Sequence, residues 1–149
     1  MACYHLAQIN IGRFRAEPDD SVNADFMAAL DAVNAQAEAA EGFIWRLTGS
    51  GNNATDIQMF DDPLLLMNMS LWRDLASLHD FTYRTADHTA LMARRAQWFT
   101  PVHPHLALWW VEEGHIPTPA EGVERLDMLA RLGPSPEAFT FAQRFSAPQ

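Results

Sequence analysis

The residues best placed to do chemistry are polar groups where the surrounding pattern calls for apolar ones. Asn68 and Ser70 interrupt the run Leu64-Leu65-Leu66-Met67-Asn68-Met69-Ser70-Leu71-Trp72, which otherwise reads as a strand buried on both faces. Side chains alternate along a strand, so Leu66, Asn68, Ser70 and Trp72 share one face, and Leu65, Met67, Met69 and Leu71 the other. A buried amide without a partner costs about 1–3 kcal/mol, so Asn68 must meet a backbone group, a water or a ligand. Two readings follow. Asn68 makes a structural bond to a neighbouring strand or loop, or it is the hydrogen-bonding floor of a cavity under the helices, with Ser70 beside it.

A second polar group falls on a helix. The segment from Asp87 to Phe99 carries an apolar stripe of Leu91, Met92, Trp98 and Phe99, and helical spacing sets His88 and Arg95 on that stripe, with Arg94 at its flank. An arginine among core-facing residues is costly unless it is paired or faces a wet pocket. Pairing with Asp74, Asp80 or Asp87 is the structural alternative for Arg95, and plain solvation the alternative for Arg94. His88 reads as a cap or surface group, or as a proton relay. Tyr83, in Phe81-Thr82-Tyr83-Arg84, brings a phenol to the cavity mouth or packs with its hydroxyl in water. Of Trp45, Trp72, Trp98, Trp109 and Trp110, most belong to core or interface, and one or two can form a flat wall for an aromatic or polyene ligand.

Other patterns carry less. His103-Pro104-His105 has the spacing of two metal ligands but no convincing third, so no metal is expected. The lone Cys3 excludes an internal disulfide and fits a reducing compartment. There is no phosphate-binding glycine loop, dinucleotide fingerprint, nucleophile elbow or zinc-protease motif. The net charge of −9 disfavours nucleic acid and anionic membranes, since both call for clustered cations. All 10 basic residues are arginine, so lysine chemistry is unavailable and every cation is a planar fork suited to oxygen anions. No apolar run approaches the roughly 20 residues of a membrane span, and no secretory leader is apparent, so a cytoplasmic protein is expected.

The elements that must position these groups follow from the pattern. Strands are expected at 4–11, 43–48, 64–72, 105–111 and 139–145. Helices are expected from Ser21 to Gly42, around 74–83, at 87–99, and from Thr118 to Gly133, the last with a capping Thr118 and Pro119 at its first position. The segment 49–53 reads as loop, and 55–63 as a longer connection. At 149 residues, with no linker or repeat, residues 1–149 are expected to form one domain. The order predicts an α+β, ferredoxin-like split βαβ sandwich with an extra C-terminal helix and strand. Neither face of the strands at 64–72 and 105–111 looks solvated. The connecting helices cover one face only, so a symmetry mate's sheet is expected on the other, giving a homodimer. The face of Asn68, Ser70 and Trp72 should look up at Arg95 and Trp98.

The segments Tyr4-His5-Leu6-Ala7-Gln8-Ile9-Asn10, Gly42-Phe43-Ile44-Trp45-Arg46, Asn68-Met69-Ser70-Leu71-Trp72 and Trp98-Phe99 resemble a bacterial family catalogued as domain of unknown function 3291. So do His105-Leu106-Ala107-Leu108-Trp109-Trp110-Val111, Gly114-His115-Ile116-Pro117-Thr118 and Pro136-Glu137-Ala138-Phe139-Thr140-Phe141. The resemblance implies the dimeric α/β-barrel superfamily. Its antibiotic-biosynthesis-type monooxygenases are small, often cofactor-free dimers that oxidise electron-rich polycyclic phenols between sheet and helices. Some place an Asn and a Trp four residues apart on one strand, then a Tyr and an Arg from the following helices. Asn68 and Trp72 match the first pair, Arg94 or Arg95 suits the last, and Tyr83 falls several residues late. The superfamily also has haem-binding branches, for which His88 would be the axial ligand.

The expected function is thus a small-molecule enzyme or ligand-binding protein, most like a cofactor-independent monooxygenase on an electron-rich aromatic or polyketide-like substrate. Asn68 and Arg95 would stabilise an oxyanion, Tyr83 or His88 would relay a proton, and Trp72 and Trp98 would stack the ring. Ser70, Trp109 and Arg94 are further substrate-binding candidates. The alternatives are a non-catalytic dimer binding a hydrophobic ligand or partner, and a haem protein.

Overall fold

A computed structural model describes residues 3–17, 20–49 and 60–149. The loop expected at 49–53 and the connection at 55–63 fall largely outside these residues, as does any extended piece within that connection. Five strands form one antiparallel sheet: β1 (Tyr4–Phe14), β2 (Phe43–Arg46), β3 (Leu65–Trp72), the short β4 (Phe99–Thr100) and β5 (Leu106–Glu112). β1 lies at the centre. It pairs with β3 on one side and with β4 and β5 on the other, and β2 pairs with the outer edge of β3. This is the ferredoxin-like split βαβ order, in which β1 and β2 run the same way with β3 inserted between them.

The helices are α1 (Ala24–Ala39), α2 (Leu75–Arg84), α3 (Ala86–Ala93), α4 (Arg95–Trp98) and α5 (Pro119–Leu132). Their ends obey local chemistry. Asp20 caps a single 3-10 turn that leads into α1, the Asp74 carboxylate accepts from Ser77 N–H at the start of α2, and Thr118 caps α5 with Pro119 behind it. Gly42 adopts a φ of 85° in the turn between α1 and β2, a conformation that L residues rarely take.

Register places every other residue of each strand on the same face. Leu6 faces Trp72, Gln8 faces Ser70 and Asn10 faces Asn68 across β1 and β3, while Leu6, Gln8 and Asn10 face Trp110, Leu108 and Leu106 across β5. α1, α2 and α3 cover this face. Two apolar clusters form there: one around Leu6, Trp72, Leu108, Val33, Leu78 and Phe81, the other around Phe14, Phe26, Leu30 and Trp98. Leu91 of α3 packs against both.

The opposite face carries Ala7, Ile9, Met67, Met69, Leu71, Ala107, Trp109 and Val111 under Leu126 and Leu129 of α5. Here an expectation needs correcting. Both faces are apolar as read, but α5 of the same chain covers the second, so a partner's sheet is not required to bury those residues. The contact is close, because a Cβ on Gly122 would lie 2.8 Å from Ile9 Cδ1 and 3.0 Å from Met69 Sδ.

Three further expectations change. The helix expected at 87–99 breaks at Arg94, whose backbone (φ −97°, ψ −1°) ends α3 and starts α4. The C-terminal strand expected at 139–145 is reduced to one bridge, Leu108 to Phe139, after which the chain docks Phe141 and Phe145 on the helix-side cluster without a ladder. β1 runs past Gly12 to Phe14, because Gly12 leaves room for the Phe99 ring, which a Cβ there would approach to 2.8 Å.

Candidate functional site

Between the two clusters on the helix-covered face, the sheet floor is polar. Gln8 Nε2 donates to Asn68 Oδ1 (2.8 Å) and to Ser70 Oγ (2.8 Å). Asn10 Nδ2 donates to Gln8 Oε1 (2.9 Å) and to Asn68 Oδ1 (3.2 Å), and Trp72 Nε1 donates to Ser70 Oγ (2.8 Å). Asn68 is therefore half satisfied. Its oxygen accepts twice, and its Nδ2 meets no acceptor among the described residues. Gln8 and Ser70 are buried, but Asn10, Asn68, Leu66, Leu91 and Leu106 are only half-buried, so the floor is not sealed between the clusters.

Gln8 and Asn10 were not singled out from sequence. The signal was available, since Leu6, Gln8 and Asn10 follow the period of one strand face and register decides the rest. Nor was Arg46 on β2, which lies across from Ser70 and whose Nε donates to Glu38 Oε1 of α1 (2.7 Å). Most of the arginine side chain is buried, so that partner offsets its desolvation.

The structure disperses much of the expected set. Trp72 lies beside Ser70 as predicted but is 1% exposed, stacked on Phe81 and edge-on to Phe43, so it has no free face for a ring. Trp98 is equally buried, against Phe26, and the Arg94 guanidinium sits 4.7 Å from the centre of its ring. Trp109 belongs to the α5 face, where its Nε1 donates to Glu121 Oε2 (2.8 Å). None of the three can serve as a ligand wall. The break at Arg94 resets the helical phase and turns Arg95 outward, where it is exposed rather than on the core-facing stripe. Arg94 is also exposed and pairs with Asp25 of α1 (3.1 Å). Tyr83, 48% exposed, packs on His79 and Phe141 at the surface.

His88 sits between α2 and α3. Its Nδ1–H donates to the Thr82 carbonyl (2.9 Å) and its ring lies 5.1 Å from Phe81. Burial pushes its pKa below the ordinary value of 6.5, against a smaller opposing effect of the carbonyl bond, so the ring is neutral at pH 7 with its proton on Nδ1. A carbonyl-bound Nδ1–H suits an axial ligand, but His88 packs on Phe81 and lines neither cleft described below. His105 is also lowered, by burial, then by Arg95 and His103. Its ring stands 6.0 Å from His103 across the cis His103–Pro104 bond. Among the described residues no three His, Cys, Asp or Glu side chains converge as a metal site.

Two surface clefts lie elsewhere. One, of about 560 Å³, runs along the outer edge of β5 and the start of α5, lined by Glu112, His115, Glu121, Glu124 and Arg125 among others. In it His115 Nε2 meets Glu121 Oε1 at 2.7 Å. The other, of about 380 Å³, runs along α2 from Arg73 and Asp74 to Arg84 and Thr85.

Fold and site together define a ferredoxin-like α+β domain with a partly exposed row of hydrogen-bonded amides on the helix-covered face of its sheet. Residues 5–149 match the family described as Domain of unknown function (DUF3291), and the chain belongs to that family. Among solved structures, a conserved protein from Methanosarcina mazei Go1 superposes with a TM-score of 0.52 at 13% identity, over 72% of this chain and 90% of that one. A Mycobacterium tuberculosis protein gives 0.50 at 16% identity, over 77% and 98%. These likenesses show the fold. An antibiotic biosynthesis monooxygenase overlaps less, with a TM-score of 0.48 at 14% identity, over 75% of this chain and 99% of that one. No curated protein matches the sequence. Among the described residues no helix is long and apolar enough to cross a membrane.

Proposed function

We propose that this domain binds a small, oxygen-bearing aromatic molecule on the helix-covered sheet face at Gln8, Asn10 and Asn68 and oxidises it with dioxygen, without a cofactor. The observation that carries the reading is the half-satisfied Asn68 amide: its oxygen is locked by Gln8 and Asn10, which fixes the direction of a donor that has no acceptor of its own. Such a preorganised donor stabilises negative charge on a phenol or enol oxygen as a ring carbon conjugated with it loses its proton to solvent. The substrate itself then supplies electrons to dioxygen, and a ring methylene becomes a carbonyl with release of one water.

The test is oxygen uptake with 1,8-dihydroxyanthrone. The protein should accelerate consumption of one dioxygen per anthrone, and Asn68→Leu should return the rate to the protein-free background while remaining folded. A variant as fast as the original would end the oxygenase assignment. The dispersal of Arg95 and Tyr83 favours a second reading, in which the amide row binds its ligand without turnover. Binding of the anthrone with no acceleration would select it. A homodimer remains part of the proposal on family resemblance, with its seam elsewhere than on the strip covered by α5.

A further inference from the structure

The cleft of about 560 Å³ beside β5 and α5 holds a side-chain cluster that the amide row does not use. Glu121, in the first turn of α5, accepts from two rings: the Trp109 indole at Oε2 (2.8 Å) and His115 Nε2 at Oε1 (2.7 Å). Both oxygens are engaged, and the carboxylate side chain is only 18% exposed. A carboxylate accepts and does not donate, so the proton of neutral His115 sits on Nε2 and the lone pair on Nδ1. Nδ1 meets no partner among the described residues, and the ring is half exposed in the cleft. An imidazole held in one tautomer by a carboxylate, with its second nitrogen open, is arranged as a general base. One helical turn on from Glu121, Arg125 lines the same cleft. Its Nη1 donates to the Glu137 carbonyl (2.7 Å), and the guanidinium carbon lies 5.9 Å from the centre of the Trp109 ring. Arg125 Nε is buried without an acceptor among the described residues. Nη2 also has no partner among them, which leaves it for a ligand oxygen.

We infer that this cleft is a second site, in which His115 removes a proton from a carbon flanked by carbonyl groups and Arg125 holds the enolate oxygen that results. It does not depend on the oxidation proposed above. The C–H bond breaks and its proton passes to His115 Nδ1. The electron pair moves into a C=C bond, and the carbonyl oxygen takes the negative charge, which the guanidinium stabilises. The imidazolium then returns a proton to the carbon or to the oxygen, so the step is a tautomerisation and needs no oxidant or co-reactant. A half-exposed imidazole is a moderate base, so the carbon acid must be activated by two carbonyls rather than one. Glu112 and Glu124 are exposed on the walls of the cleft and disfavour an anion. The substrate class is therefore an uncharged 1,3-dicarbonyl compound.

The test is deuterium exchange at C2 of ethyl acetoacetate in D₂O, followed by proton NMR. The protein should accelerate exchange about a hundredfold over an equal concentration of free imidazole. His115→Gln, a change at a half-exposed position, should remove that acceleration, whereas His103→Gln, at a surface histidine outside the cleft, should leave it intact. Arg125→Met should slow exchange about tenfold, less than for an enclosed oxyanion donor because the cleft is open to solvent. Glu121→Ala should slow it as well, and the His115 ¹⁵N shifts should then report both ring tautomers instead of the Nε2–H form alone. Exchange no faster than with imidazole, or equal losses in His115→Gln and His103→Gln, would overturn the site. An unchanged rate in His115→Gln would reduce the His115–Glu121 bond to a tie between turn and helix. An unchanged rate in Arg125→Met would remove the enolate contact, and an unchanged tautomer in Glu121→Ala would remove the part given to that carboxylate.

Discussion

The two faces of one sheet divide the work of this domain. Toward α5, successive strand residues are Ala7, Ile9, Met67, Met69, Leu71, Ala107 and Trp109, all at most 2% exposed, and the helix is pressed onto them through Gly122. Toward α1, α2 and α3, the same strands read Leu6-Gln8-Asn10-Gly12-Phe14 and Trp72-Ser70-Asn68-Leu66, apolar at both ends and polar in the middle. Continuous apolar contact on the first face supplies stability without direction. On the second, a row of amides interrupts the core, fixes side-chain orientation and leaves the Asn68 donor without an acceptor among the described residues. The oxidation proposed above belongs to the face that gave up packing.

Substitutions on matched positions sharpen that contrast. Met69→Ala, on the packed face, should cost about 3 kcal/mol in urea unfolding, because it removes a fully buried side chain and leaves a cavity. Its neighbour Asn68→Leu should cost less than about 1.5 kcal/mol, since Gln8 and Asn10 each keep a second acceptor. A reversal of that order would break the comparison. Next comes Gly122→Val, expected to cost about 2 kcal/mol through overlap with Ile9 and Met69. If this variant is as stable as the original, α5 does not sit tightly on the sheet and the second face is open to a partner.

The smallest effect is a pH slope from the helix side. His88 titrates below its ordinary 6.5 when folded. As pH falls past 6.5 the unfolded chain takes up the proton first, so stability declines until the folded-state pKa is passed and then levels. His88→Gln should flatten this slope in part, with His105, lowered in the same direction, keeping the remainder. Unfolding curves between pH 7 and pH 5 measure it, and an unchanged slope would place His88 in solvent.

Much of the frame was legible because burial and periodicity act locally. The mostly apolar runs of β3 and β5 pointed to buried strands, and the Thr118-Pro119 start of α5 carried its own capping chemistry. What escaped depends on contacts distant in sequence. The break at Arg94 has no glycine or proline to announce it, so helical phase was carried through it and set Arg95 on the wrong side. Phe139-Thr140-Phe141 has strand-like residues, but it finds one bridge on β5 and then packs by its rings. Gly12 read as a terminator because the Phe99 ring that needs its missing Cβ lies far along the chain. Asn68 and Ser70 were legible as misplaced polar groups, whereas Gln8 and Asn10 became partners only once the register of β1 on β3 was known.

The claim that the amide-floored face holds the ligand is tested most directly by side-chain amide and indole NMR signals during titration with 1,8-dihydroxyanthraquinone. The NH₂ resonances of Gln8, Asn10 and Asn68 should move together and saturate at one affinity, while the Trp109 indole, on the α5 face, stays fixed. Movement of Trp109 and His115 with the three amides unmoved would place the ligand in the cleft beside β5 and contradict the account.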